Sequence, residues 1–303
     1  MTERVGRRSA SCHRTFKRPR IALCHLESLV GLPALNAFFA ELGDQIDLVI
    51  VSRRFGPKHG SVFRQLVNGV RRSGLRMTFW LGFDIISAQV ASQVASLLNR
   101  LTGRAPALRS VGALAAQHGA GLVMCSDVNS PDTIQALRDA GIDLVVLMNF
   151  DQILRQDFID TPKSGVVNLH PSLLPALRGP CPVFWALAQG DQMVGITLHI
   201  IESTQIDAGP IMEQVGMAVD PGLSVAEITS ALFLKGARLV ARAAHDIPEG
   251  RQSVVPQPPG QGEYRGFPDR AQMAAVARNV RLCRPGHLVA LLAAACGLKS
   301  WTP

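Results

Sequence analysis

The chain has 303 residues, a formal net charge of +8, 47% apolar residues and 18% charged ones, the composition of a globular chain with one large domain or one domain plus appendages. The charge is uneven: residues 1–20 hold seven Lys/Arg against one acidic residue, residues 249–303 seven against three, and residues 21–248 seventeen against nineteen. A near-neutral body, 5% aromatics and one Tyr count against a chain-wide nucleic-acid surface and against a base-stacking platform.

Residues 1–20 read as a disordered basic tail, Arg/Ser-rich but without the apolar run of a secretory signal. The fold is expected to begin at Ile21–His25, a short apolar run typical of a buried strand. Pro33 suits the first turn of a helix over Leu32–Leu42 that Gly43 ends, and residues 46–51 (IDLVIV) read as a second buried strand. The chain thus opens strand–helix–strand, the start of a doubly wound, mostly parallel sheet, so an α/β, Rossmann-like fold is expected. Residues 61–118 look helical throughout, with apolar positions every three or four residues in 62–70 and 90–101. This long insertion is expected to shape a pocket or a homo-oligomer interface.

Residues 121–125 form the next expected strand. Ser130-Pro131-Asp132 is a helix start, with Ser as N-cap and Pro at the first helical position. Strands follow at 143–148 and 165–169, then a helix at 182–189 stopped by Gly190, two strands at 195–201 and 211–219, and a capping box at Ser224–Glu227 that opens a helix to about residue 245. Residues 21–248 are therefore read as one folded body. After Pro248, residues 251–268 are rich in Pro, Gly and Gln, the signature of a linker or extended arm. A basic helix capped by Asp269 and an apolar helical stub over 288–296 complete a C-terminal arm. Residues 77–98 come nearest to a membrane span but are interrupted by Asp84 and several Ser and Gln. Cys12, Cys24, Cys125, Cys181, Cys283 and Cys296 show no paired spacing, as expected of reduced thiols in a cytoplasmic protein.

The chemistry concentrates in residues 165–213. Asn168 and His170 lie two apart at the C-terminal end of an apolar strand, so they share one face, at the end of the strand where open α/β sheets bind ligands. Asp207 lies in a Gln-Ile-Asp-Ala-Gly-Pro turn between two strands. An amide, an imidazole and a carboxylate are thereby placed to meet in one cleft. The plainer reading is a structural strand histidine and an ordinary Asp-Ala-Gly-Pro turn.

Asn168–Gly179 spells N-x-H-P-S-L-L-P-x-x-R-G, Gly195–His199 spells G-x-T-x-H, and Asp207–Ile211 spells D-x-G-P-I. Over roughly residues 21–246 the chain resembles the formyltransferases that use 10-formyltetrahydrofolate, among them glycinamide-ribonucleotide, methionyl-tRNA and nucleotide-sugar enzymes. The resemblance implies an Asn168/His170/Asp207 triad. Asn168 and a protonated His170 would stabilise the oxyanion on the formyl oxygen. Asp207 would raise the His170 pKa and act as general base toward the amine. It implies folate contacts, largely through the main chain, at Gln152, Ile153 and Leu154 and at Thr204, Gln205 and Ile206. It also implies a cis Leu174–Pro175 bond. Ser172 shapes the loop and Arg178 faces an acidic acceptor or braces the loop; both are taken as substrate-binding. His199 supports Asp207 or is a plain strand histidine. No metal is implied.

Departures from the named members narrow the acceptor. Leu26–Pro33 lacks the Gly/Ser-rich phosphate loop of the glycinamide-ribonucleotide enzymes, and Glu27 would repel phosphate. Residues 249–303 do not read as the β-barrel that the tRNA enzymes append, and residues 1–20 are too few for the regulatory domain of formyltetrahydrofolate hydrolases. The expectation is a one-carbon transferase that formylates a primary amine of a small molecule, with nucleic acid not expected as partner. The alternatives are 10-formyltetrahydrofolate hydrolysis, methionyl-tRNA formylation, a folate-binding partner without catalysis, and nucleic-acid binding through the basic ends.

Overall fold

A computed structural model describes residues 18–53, 62–247, 249–258 and 260–301; the expected tail over residues 1–17 lies outside them. Its frame among those residues is a seven-stranded sheet in the order β3-β2-β1-β4-β5-β6-β7. The strands are β1 (Ile21–His25), β2 (Ile46–Ser52), β3 (Gly121–Cys125), β4 (Leu144–Met148), β5 (Val166–His170), β6 (Met193–Ile201) and β7 (Ile211–Ala218). Strands β1 to β5 pair in parallel; β6 and β7 run antiparallel.

Alternation along each strand divides the core in two. Ile21, Leu23, Val146, Val167 and Leu169 face one side, while Ala22, Cys24, Val145, Leu147 and Val166 face the other, because successive side chains on a strand point to opposite faces. The first layer holds α1 (Leu32–Leu42) and α7 (Val225–Asp246), and the second holds α4 (Pro131–Asp139) and the short α5 (Gln156–Ile159). Helix α1 buries Phe38 and Phe39 almost completely; truncating either to Ala would cost about 3–5 kcal/mol. Ser130 caps α4 by accepting from Thr133 N–H, and Ser224 with Glu227 forms the capping box of α7.

The region expected to be helical over 61–118 is two helices, α2 (Val62–Thr102) and α3 (Val111–His118), separated by a segment whose Ala107 and Leu108 amides donate to the Ala294 carbonyl. Within α2, Gly74 is non-helical with φ +79°, a left-handed conformation open to glycine at little cost. Beyond it, Met77, Trp80, Ala88, Ala91 and Ala95 are buried, while Leu75, Phe79, Ile86, Val90, Leu97 and Leu101 form an exposed apolar stripe. By length and composition this is one helix able to cross a membrane, with a mean hydropathy of 1.3 over its most apolar window. Yet its buried face packs on the body, on α8 (Arg270–Ala275) and on α9 (Pro285–Ala295).

Residues 18–20 depart from the disorder expected of them. The Arg20 amide donates to Asp143 Oδ2 at 3.0 Å, and its side chain pairs with Asp47 at 3.1 Å. The C-terminal arm returns to the body. Val255 bridges Ile211 at the β7 edge, and Tyr264 bridges Arg178 in the loop after β5.

Candidate active site

Strand β5 delivers Asn168 and His170 to one face, and the β6–β7 connection delivers Asp207. The Asp207 carboxylate is the hub. Its Oδ1 accepts from Asn168 Nδ2 at 3.2 Å and lies 3.6 Å from His199 Nε2; its Oδ2 accepts from Gly179 N–H at 2.9 Å and lies 3.5 Å from His170 Nδ1. His199 Nδ1 faces the Ile200 carbonyl at 3.1 Å, which places the ring proton there and leaves Nε2 to accept from Asn168 at 3.1 Å. Both amide protons of Asn168 are therefore engaged.

The loop between β5 and α6 (Pro182–Gln189) is held in an unusual shape by its own residues. Leu174–Pro175 is cis, and Leu177 takes φ +55°, which aims its carbonyl at His170 Nε2, 2.9 Å away. Gly179 takes φ +109°, and a Cβ there would collide with the Arg265 carbonyl. Asn149 and Asp207 also take positive φ. Left-handed backbone in such residues costs roughly 1–2 kcal/mol each, strain of the kind that clusters at functional sites.

The ionisation states differ from expectation in one respect. Burial alone would raise the Asp207 pKa, but the His170 ring and the Gly179 N–H bring it down to about 2. For His170 burial is the larger effect: it moves the imidazole below the ordinary histidine range, against the opposing pull of Asp207 and the Leu177 carbonyl. Asp207 pulls the pKa upward as expected, but burial outweighs it. At neutral pH the free site holds a neutral His170 beside a carboxylate that Asn168 and Gly179 keep ionised.

The triad opens onto a cavity of about 480 Å³, within the usual range for small-molecule sites. Gln152, Ile153 and Leu154 line it, as do Thr204, Gln205 and Ile206. Ile153 is 60% exposed and Leu154 is buried at 4%. The Gln152 side chain braces its segment, accepting from Val128 N–H at 2.8 Å and donating to Ser52 Oγ at 2.9 Å. Ser172 and Arg178, expected to bind substrate, are not among the described residues that line this cavity. The Ser172 hydroxyl donates to the Ala176 carbonyl at 2.9 Å, and Arg178 turns away to Gln257 Oε1 at 2.7 Å. Glu27 accepts from Val111 N–H at the start of α3.

Sequence reasoning missed several neighbours. Gln257, in the arm, donates to the carbonyls of Asp207 (3.0 Å) and Gly209 (2.7 Å). Tyr264 and Phe267 of the arm, Trp80 and Asp84 of α2, and Asn149 after β4 line the cavity. Only Asn149 carried a signal, as the polar residue ending a buried parallel strand.

A family profile described as "Formyl transferase" matches residues 86–243, more than half of the chain. The methionyl-tRNA formyltransferase of Mycobacteroides abscessus is 33% identical over 155 residues, covering 51% of this chain and 50% of that protein. That of Roseiflexus castenholzii is 33% identical over 156 residues, covering 52% and 49%. The chain spans about half the length of the curated relatives it matches. Among solved structures, glycinamide ribonucleotide transformylase 1 from Symbiobacterium toebii aligns with a TM-score of 0.52 at 19% identity, covering 78% of this chain and 94% of that one. An N-formyltransferase from Helicobacter canadensis, solved with folinic acid and dTDP-3-aminofucose, aligns with a TM-score of 0.52 at 14% identity, covering 82% and 71%. These last two likenesses are of fold.

Proposed function

Because this chain belongs to the formyl transferase family, we propose that it transfers a formyl group from 10-formyltetrahydrofolate to a primary amine. The observation that carries this reading is the convergence of Asn168, His170 and Asp207 on one cavity.

The cavity's composition fits a folate. The segments 152–154 and 203–206 border it, and Phe150, Ile153 and Ile206 among its lining residues are apolar. That combination suits a flat heterocycle with polar edges, and Gln152–Leu154 with Thr204–Ile206 would hold it. The donor supplies the electrophilic formyl carbon. As the amine nitrogen bonds to the formyl carbon, Asp207, ionised above about pH 2, takes the proton the amine loses, and the donor's formyl C–N bond breaks with a proton delivered to the departing tetrahydrofolate nitrogen; a positioned base of this kind is worth about 10²–10⁴ in rate. Asn168 and His170 donate hydrogen bonds to the formyl oxygen as negative charge gathers there. Asn168 does so by exchanging one of its two internal acceptors, and a neutral His170 by turning the Nε2–H that faces the Leu177 carbonyl in the free site toward the formyl oxygen.

We take the acceptor to be a small-molecule amine. A second reading, the amine of an aminoacyl-tRNA, is favoured by the curated relatives, which are named methionyl-tRNA formyltransferases; these give no support to the expectation that nucleic acid plays no part. Tetrahydrofolate release is the test. The protein is supplied with 10-formyltetrahydrofolate and, in parallel, a panel of small amines, methionyl-tRNA, or neither. Release with small amines supports the first reading, and release with methionyl-tRNA alone supports the second. Full-rate release with no amine would make the chain a hydrolase.

A further inference from the structure

The wall of the cavity formed by α2 and the β1–α1 loop carries a carboxylate for which no ion pair is found among the described residues. Asp84, on α2, lines the cavity, and its Oδ1 accepts from Val30 N–H at 2.9 Å. The Ser28 hydroxyl gives it a further hydrogen bond, and no positively charged group acts on it among the described residues. Burial lifts its pKa to about 6, so it is still anionic at pH 7.5. The described residues lining the cavity also include Asp151 and Asp207, but no Lys or Arg.

The same wall leaves no anion site open. Around the start of α1, the Leu29 N–H goes to the Asp84 carbonyl, the Val30 N–H to the Asp84 carboxylate, and the Gly31 N–H to Ser28. A carboxylate of the chain itself thus stands where a helix N-terminus would otherwise attract a ligand's anion. A phosphate brought here would lie against the Asp84 and Asp207 carboxylates, with no Lys or Arg among the described lining residues; Arg72 stands behind the wall, stacked on the Phe267 ring at 4.1 Å. The remainder of the wall is Val30, Met77, Trp80 and Phe267, an apolar surface.

We propose that this cavity takes an amine carried on an apolar, phosphate-free body, and that Asp84 binds a second ammonium group of that molecule. The proposal deepens the formyl-transfer reading by naming the acceptor class. Asp84 serves as a specificity residue, leaving the triad to act on the first amine.

Calorimetric titration without the folate donor tests this apart from turnover. Hexylamine, 1,6-diaminohexane and 6-aminohexyl phosphate are titrated into the full chain at pH 7.5. The diamine is expected to bind at least tenfold more tightly than hexylamine, and the aminophosphate more weakly than either. Asp84→Asn, whose Oδ1 still accepts from Val30 N–H, should erase the advantage of the diamine while leaving hexylamine within threefold. The wild-type ranking needs no variant and stands whether or not the variant folds. Equal or tighter binding of the aminophosphate, an intact diamine preference in Asp84→Asn, or no binding of any of the three would overturn the proposal. Tetrahydrofolate release is followed separately. Its absence counts against formyl transfer, and the titrations still decide the role of Asp84.

Discussion

Asn168 and His199 are Cα partners across the β5–β6 boundary, and the Asn168 amide nitrogen lies 3.1 Å from His199 Nε2. The orientation of the proposed oxyanion donor is thereby fixed by sheet register. His199→Leu would leave a buried amide proton without its acceptor and is expected to cost about 1–3 kcal/mol of stability. His199→Gln, which offers an acceptor oxygen, should retain most of it. If the histidine positions Asn168, kcat should fall with stability in the Leu variant and recover in the Gln variant, with KM for the folate unchanged. Urea unfolding and steady-state kinetics on both variants provide the check.

Asp207→Asn keeps the side-chain shape but removes the base. Turnover is expected to fall by about 10²–10⁴, while folate affinity, measured by calorimetry, stays within a few-fold. A near-wild-type rate would refute the role proposed for the carboxylate.

Gln257 ties the arm to the main chain of the β6–β7 turn through the Asp207 and Gly209 carbonyls. Gln257→Ala is expected to destabilise the protein by about 1–3 kcal/mol. It should also lower kcat, because the turn that carries Asp207 loses its outer brace. Melting temperature and kcat are measured together; an unchanged kcat alongside a lower melting temperature would make Gln257 purely structural.

Acid should weaken the fold before it titrates Asp207. His25 is fully buried against the Met148 carbonyl, and burial brings its pKa down to about 4. The unfolded chain takes up this proton near pH 6.5, so stability falls as pH drops from about 6.5 to 4, by about 3 kcal/mol from this residue. Asp84 acts in the opposite sense, because a raised carboxyl pKa of about 6 adds stability as pH falls toward its unfolded value. Replacing His25 with Gln should flatten the acid limb or reverse its slope between pH 6 and 4. Urea midpoints at pH 7, 5.5 and 4.5 read this directly.

Where the chemistry is local, the sequence carried it. The apolar runs of β1, β4 and β5, the Pro and Ser that open α4 and the Ser224–Glu227 box each act within a few residues. The limits of α1 and α6 coincide with those expected. What was not legible depends on packing. Gly74 sits inside a helical periodicity and reads as tolerated rather than as a break. Asp84 reads as a polar interruption of an apolar helix until the fold brings Ser28 and Val30 to it. Gln257 lies in a Pro- and Gln-rich run with no period at all. Ser172 and Arg178 share the motif of His170, but backbone geometry turns their side chains elsewhere. The sign of the His170 shift followed from burial, which the neighbours named by the motif do not reveal.

The seam between β5 and β6 has a consequence for descent. Asn168 and His199 are set by pairing two strands, whereas the wall bearing Asp84 comes from α2, a separate stretch of chain. Substitutions can accumulate in α2 and change what the cavity admits while the paired strands stay in register. Lineages sharing this sheet are thus free to diversify in what the cavity admits while keeping Asn168 and His199 opposed.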